Sequence, residues 1–362
     1  MCFRRFFTLP PSMKGLRERK PVVSTSKHGW IEPLMRNCYV IPGFLLFTAI
    51  WLFSCAGGNA QEVPVAAGQT IRVNVARVNV GVVVTDDKGK FVEGLQRDAF
   101  HVYDNGGEQH IAEFAPIEDP GQVLLVVEAG PAAYFLQGAN LFAADAMLRG
   151  LSAGDRIAVA RYIDVPLGIL DFTTDKGAAQ AALSSIQFNL GFADLNLSSS
   201  LSTVLDWLER VPGKKTIVLI STGVDTSPAS AMAALEARLQ VGDVRILCIS
   251  TSGPLRNGKQ GSKAKIRQTQ DEFAAADQRL KAIAELTGGR AYFPMNGKAF
   301  QETYKEVAEI VRHEYSLAFA LPAADGAVHS INVKVDKPDG VGKAAGAAYR
   351  VDHRRGYQAP KE

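Results

Sequence analysis

Five consecutive apolar residues, Val123 to Val127, stop abruptly at Glu128, and Ala129-Gly130-Pro131 follows. A continuous apolar run of strand length, closed by turn residues, suits a strand buried on both faces of a parallel sheet. Such a strand needs helices above and below it, which commits the surrounding chain to alternating strands and helices. In open α/β sheets ligands gather at the carboxyl ends of the strands. The stretch Gln122 to Ala132 therefore sets the fold and also the place to look for chemistry.

The downstream sequence supplies the alternation. Strand candidates are Val123–Val127, Ile157–Tyr162, Leu167–Phe172, Thr216–Ile220, Val244–Ile249 and Arg290–Phe293. Helical spacing appears in Leu141, Ala144, Leu148 and Leu151, in Ser198 to Val211, Ala229 to Leu239, Asp271 to Leu286 and Lys298 to Arg312. Gly288-Gly289 stops one of these helices. The expected fold class is a doubly wound, mostly parallel α/β sheet over residues 119–313.

On either side of it the pattern is β. Val78, Val80 and Val82 alternate, out of phase with Ile71, Val73 and Val75, which predicts a bulge or strand break between the two sets. Asn105-Gly106 between apolar strands predicts a hairpin. Tyr315–Leu321, Ile331–Val335 and Tyr349 to Tyr357 have no helices to pair with. The economical reading joins 61–118 to 314–362 as one Ig-like β-sandwich with the α/β domain inserted in it.

Residues 1–60 read as a leader. Arg36 precedes an apolar core from Val40 to Phe53, and Gly58-Asn59-Ala60 ends it with small residues before Gln61, which is signal-peptide architecture with Met35 as the natural start. The stretch falls short of the ~20 apolar residues a membrane span needs. Leu52-Phe53-Ser54-Cys55 is a lipobox-like alternative in which lipidated Cys55 anchors the protein to a membrane. The leader holds eight of the 40 basic residues and two of the 37 acidic ones, so the rest of the chain carries a net charge of −3. That excludes a general nucleic-acid footprint. Beyond the leader Cys248 is the sole cysteine, set in an apolar run, so no disulfide framework is expected. With 47% hydrophobic residues the stability has to come from the core.

Several separate segments carry a resemblance: VVVTDDKGKFVEGLQRDAFHVYDNGGEQHIAEF (82–114), the strand and turn at 122–132, VLISTGVD (218–225), AIAELTGGRAYF (282–293) and YSLAF with RRGYQ (315–358). Their order and spacing over about residues 65–360 resemble the von Willebrand factor type A (VWA)-related proteins of Acidobacteria and related soil bacteria. What the resemblance implies is a metal-ion-dependent adhesion site built from Asp-x-Ser-x-Ser after the first strand, a Thr from a second loop and an Asp from a third. Mg²⁺ asks for six oxygens in octahedral array. The matching positions are Glu128, Gly130 and Ala132, then Ser198, Ser199 and Ser200, then Thr222 with Asp225 three residues further on. Two hydroxyls and one carboxylate are missing and the remaining carboxylate is one methylene longer, so the expectation is a degenerate site without a metal or other cofactor. The implied function is protein–protein contact at loops 128–133, 192–200 and 222–227. Under the alternative, Mg²⁺ binds through Glu128, a serine of 198–200 and Thr222.

Other motifs lapse. Gly253 to Lys259 has phosphate-loop spacing, but Gln260 stands where the hydroxyl should be. His313-Glu314 lacks a second His at Leu317, and no Gly-x-Ser-x-Gly occurs. The chain is therefore expected to be an exported, non-enzymatic binding or scaffold protein, with Glu128 a polar residue exposed at a strand end and Trp207 in a helix core.

Overall fold

The computed structural model describes residues 76–117, 120–131, 137–189, 194–254, 263–336 and 349–361. The leader with Cys55, Ala132, Phe192 and most of the 253–259 loop lie outside them. So do Ile71, Val73 and Val75, and with them the expected slip of phase ahead of Val78.

The run Gln122–Glu128 forms strand β5, at the centre of a six-stranded sheet. The sheet also contains β6 (Arg156–Tyr162), β7 (Pro166–Thr173), β8 (Lys215–Ser221), β9 (Arg245–Ser250) and β10 (Ala291–Tyr292), in the order β10-β9-β8-β5-β6-β7. All neighbours are parallel except β7, which runs antiparallel to β6 at the edge. The apolar run reads as continuous because both faces of β5 are covered. Val123, Leu125 and Val127 join a core with α1 (Gln137–Gly150), α2 (Lys176–Ser184) and α6 (Gly297–Arg312). Leu124 and Val126 join a second core with α3 (Leu197–Leu208), α4 (Ala229–Val241) and α5 (Lys263–Leu286). Cys248 is fully buried in this second core, and desolvation pushes its thiol far up, so it behaves as a small hydrophobe.

Helix α2 has no strong apolar stripe in sequence. Its signal is the cap: the Asp175 carboxylate accepts from the Ala178 amide at 3.0 Å. Trp207 corrects an expectation, since it is 41% exposed on α3 while Leu201, Val204, Leu205 and Leu208 fill the buried face.

The flanking segments build two four-stranded sheets. One has the order β13-β1-β11-β4, from β1 (Arg77–Thr85), β4 (Ile111–Ile117), β11 (Glu314–Ala320) and β13 (Arg350–His353). The other has the order β14-β12-β2-β3, from β2 (Phe100–Asp104), β3 (Gly107–Gln109), β12 (Val328–Val335) and β14 (Gly356–Gln358). Val78, Val80, Val82, Phe100, Val102, Tyr315, Leu317, Phe319, Ile331 and Val333 share one core between them. The Asn105-Gly106 hairpin joins β2 to β3, with φ of 47° and 84°, the paired positive values of a type I′ turn.

Charged groups that carried no signal in sequence fasten the first of these sheets, β13-β1-β11-β4, to the six-stranded one. Glu314, at the start of β11, is buried against the Arg245 guanidinium at 2.5 Å and the Lys214 ammonium at 3.7 Å. A Cβ on Gly81 would lie 2.5 Å from a Glu314 oxygen, so glycine there makes room for the carboxylate. Arg290 reaches Asp352 on β13, Glu306 on α6 and the Thr85 hydroxyl on β1. Between these two clusters runs the glycine pair. A Cβ on Gly288, at φ +66°, would meet the His353 carbonyl carbon at 2.2 Å, and one on Gly289 would meet the Ile246 oxygen at 2.0 Å. The pair thus stops α5 and also lets two backbones touch.

Candidate functional site

The carboxyl ends of β5, β6 and β8 place three polar side chains at one level. Glu128 closes β5, Tyr162 closes β6 directly beside it in register, and Ser221 closes β8, with Thr222 next. Glu128 is not exposed at a strand end; it is 0% exposed. The cause is the ring of donors around it. Its Oε2 accepts from the Thr222 amide at 2.8 Å, the Thr222 hydroxyl at 2.8 Å and the Ser221 hydroxyl at 3.0 Å, with the Tyr162 hydroxyl further off at 3.3 Å. Tyr162 also bonds Ser221 at 2.7 Å, and the Gly223 amide donates to Ser221 Oγ at 2.9 Å. The tyrosine hydroxyl, the serine hydroxyl and the carboxylate therefore form one relay.

The second carboxylate oxygen has no such company. Glu128 Oε1 is buried without a hydrogen-bond partner. A Cβ on Gly130 would stand 3.6 Å from it and 2.9 Å from Leu195 Cδ2. Leu195 thus packs into the space that a side chain at 130 would take, on the side of Gly130 that Glu128 Oε1 also neighbours. Desolvation is the largest influence on Glu128 and outweighs the hydrogen bonds that favour its charge, so its carboxyl lies above the usual range. Burial, followed by the nearby Glu128 charge, likewise raises the Tyr162 phenol.

The serines of α3 form a separate group. Ser198, fully buried, donates through Oγ to Asp225 and touches Met232 Sδ at 3.1 Å. Ser199 pairs with Ser227 through its amide and its hydroxyl. Ser200 Oγ is buried and unpartnered. Burial pushes the Asp225 carboxyl up, but donors from Ser198 and Ser227 outweigh it and hold the group below the usual range. Asp225 therefore ties the two loops together. The same two loops are laced by Thr226 N donating to the Leu195 oxygen at 2.8 Å and Thr226 Oγ1 donating to Asn196 Oδ1 at 3.1 Å. The Asn196 amide donates to the Ile163 oxygen at 2.8 Å, which pins the first loop to the end of β6.

Of the residues singled out in sequence, the structure joins Glu128 directly to Thr222 and Ser198 to Asp225. It sets Gly130 beside Glu128 with only a hydrogen where a hydroxymethyl would be. Ala132 lies outside the described residues. Glu128, Ser198, Ser200 and Thr222 are all buried, so they form the underside of the loop cluster rather than a solvent-facing contact surface. Tyr162 and Ser221 were missed. Their signal was positional: each is the last residue of a strand that pairs with β5 or its neighbour at the level of Glu128.

Mg²⁺ demands near-octahedral oxygens, several of them water. Here one Glu128 oxygen is committed to protein donors and the other is buried without a partner, the Ser198 hydroxyl is committed to Asp225, and Gly130 brings no side-chain oxygen. Among the described residues no group of three His, Cys, Asp or Glu converges on a point that could hold a metal ion. Among them, too, no helix is long and apolar enough to cross a membrane.

No family model matches the chain, and no curated protein matches it. Solved structures similar to it include a von Willebrand factor type A protein from Catenulispora acidiphila, at 10% identity over 78% of this chain and 75% of that one, with a TM-score of 0.43. The manganese-loaded TRAP protein of Plasmodium vivax is similar at 12% identity over 72% of this chain and 99% of that one, TM-score 0.37. BatB from Bacteroides thetaiotaomicron is similar at 12% identity over 52% and 98%, TM-score 0.36.

Proposed function

We propose that this chain is an exported, non-enzymatic protein-binding or scaffold protein. In this reading a VWA-like α/β domain, residues 119–313, is inserted in an Ig-like sandwich made by 61–118 and 314–362, and presents a contact face at the top of its sheet without a metal. The observation that carries the reading is the inward-turned Glu128: one carboxyl oxygen is met by Thr222, Ser221 and Tyr162, and the other is buried away from solvent. A carboxylate used in this way holds loops rather than a ligand. What it holds is a rigid cluster of two loops whose outward residues, Asp194, Thr226 and Pro228, are free to meet a partner. Pre-laced loops reduce the ordering cost of association. Export is supported by the leader architecture at residues 35–60, either as a cleaved signal or as a lipid anchor at Cys55.

One observation favours the metal-dependent alternative, the unpartnered Oε1 of Glu128. Thermal unfolding of the full-length chain in EDTA, then in millimolar Mg²⁺, Mn²⁺ or Ca²⁺, separates the two. A cation at a hundred times its Kd stabilises by about 2.7 kcal/mol, a rise of several degrees. An unchanged Tm supports the metal-free reading. A rise that disappears in Glu128→Ala overturns it.

A further inference from the structure

The sheet β14-β12-β2-β3 ends in two strands of three residues each, β14 and β3. Strands this short bring few ladder hydrogen bonds, and something else has to hold them. In both cases it is an imidazole seated between two carboxylates.

At the β14 end, His329 of β12 is buried, with Nδ1 2.7 Å from Asp104 Oδ1 on β2 and Nε2 3.3 Å from Asp325 in the turn before β12. Tyr357 of β14 donates its hydroxyl to the other oxygen of Asp104 and packs its ring 5.1 Å from the imidazole. The Arg354 guanidinium lies over the far side of that ring, 5.9 Å from its centre. Residues 358–361 are stitched to the same turn, by Gly326 N to the Pro360 oxygen and Ala359 N to the Ala327 oxygen. At the β3 end, His101 of β2 has Nδ1 2.8 Å from Glu108 on β3 and Nε2 3.1 Å from Asp336 beyond β12. Its register partner on β12, Lys334, directs its ammonium to the Tyr103 ring instead.

An imidazole with a carboxylate at each nitrogen satisfies both only as a double donor, the imidazolium form. A neutral ring would leave one acceptor facing a carboxylate. We propose that this sheet is clasped by protons: His329 and His101, each charged between two carboxylates, hold edge strands β14 and β3, and loss of those protons frees the strands. The side-chain hydrogen bonds that His329 donates to Asp104 and His101 donates to Glu108 are the main reasons both rings are held above the usual imidazole range, against a smaller opposing effect of burial. For a group raised in the folded state the stabilisation is complete below its unfolded value and is lost as pH rises through the folded one. The strands therefore tighten in acid and loosen in mild alkali. Strand β14 also packs against α4, where a Cβ on Gly356 would meet the Gln240 oxygen at 3.2 Å, so its release would uncover an edge of β12 next to the α/β sheet.

The test uses the full-length chain from pH 5 to pH 9. Histidine NMR titration should give His329 and His101 midpoints above the ~6.5 of a free imidazole. Hydrogen exchange, corrected for intrinsic rates, should show protection in 354–361 and 105–112 falling at least ten-fold more than in 77–85 across those midpoints. His329→Gln should abolish the pH dependence in 354–361 and leave that in 105–112. Midpoints at or below 6.5, edges that track β1 at every pH, or a pH dependence that survives in His329→Gln would each overturn the proposal. Where His329→Gln does not fold, Asp325→Asn in the exposed turn should move the loosening of 354–361 to lower pH, and an unmoved midpoint would overturn the proposal as well.

Discussion

Replacing Glu128 by Ala and by Gln distinguishes a loop-holding carboxylate from one that is idle. In Glu128→Ala the Thr222 amide and the Thr222 hydroxyl both lose their acceptor inside a site with no solvent, a cost of about 1–3 kcal/mol for each. The Ser221 and Tyr162 hydroxyls keep each other at 2.7 Å, so they add little. Loss of one buried methylene group, Cγ, adds about 0.8 kcal/mol. The alanine variant should therefore be destabilised by roughly 3 kcal/mol or more. In Glu128→Gln an amide oxygen can occupy the Oε2 position, and the NH₂ replaces an oxygen that already had no partner. Its cost should stay within about 1 kcal/mol. A gap of ~2 kcal/mol or more corresponds to roughly 4–8 °C in Tm for a domain of this size. The pH dependence gives a second reading. The Glu128 carboxyl is raised in the folded state, so the wild type loses stability as pH rises through its folded value. Glu128→Gln cannot titrate, and its stability relative to wild type should improve from pH 5 to pH 8. Urea denaturation at both pH values measures all of this. An alanine variant within 1 kcal/mol of wild type, or a glutamine variant as damaged as the alanine, would refute the reasoning.

Other consequences concern the fastening of the sheets. Glu314→Gln leaves Arg245 and Lys214 buried without a countercharge and should cost about 3–5 kcal/mol by urea denaturation, with Arg245→Met in the same chain recovering part of the loss. Burial alone would raise Glu314, but Arg245 and Lys214 outweigh it and hold the carboxyl below the usual range. This contribution is therefore present above the unfolded value and should fade in acid, which a denaturation series from pH 7 down to pH 3 would show. Gly288→Ala should prevent folding, read as loss of soluble protein, because its Cβ would overlap the His353 backbone at 2.2 Å. Gly106→Ala, with nothing within 4 Å, should cost only the ~1–2 kcal/mol of a left-handed residue in a thermal melt.

The alternation of apolar runs with helical spacing was enough to place β5 to β10 and every helix but α2; the signal is sharpest in β5, β8 and β9, where burial on two faces leaves an apolar run. Asn105-Gly106 announced its hairpin for an equally local reason, the two positive φ angles. Sequence also brought Glu128, Ser198, Thr222 and Asp225 to the ends of neighbouring elements. What it could not set was their direction. Whether a carboxylate at a strand end turns outward or inward depends on the donors its neighbours offer, and Tyr162 and Ser221 reach Glu128 from strands 34 and 93 residues away. Leu195 over Gly130 is a contact of the same kind, invisible until two loops meet. The buried ions were unreadable for the same reason: Glu314, Arg245 and Arg290 look like surface residues, and only the folded chain gives each a partner close enough to offset its desolvation. Local pattern determined which elements form; the long-range pairing of polar groups decided what the ends of those elements hold.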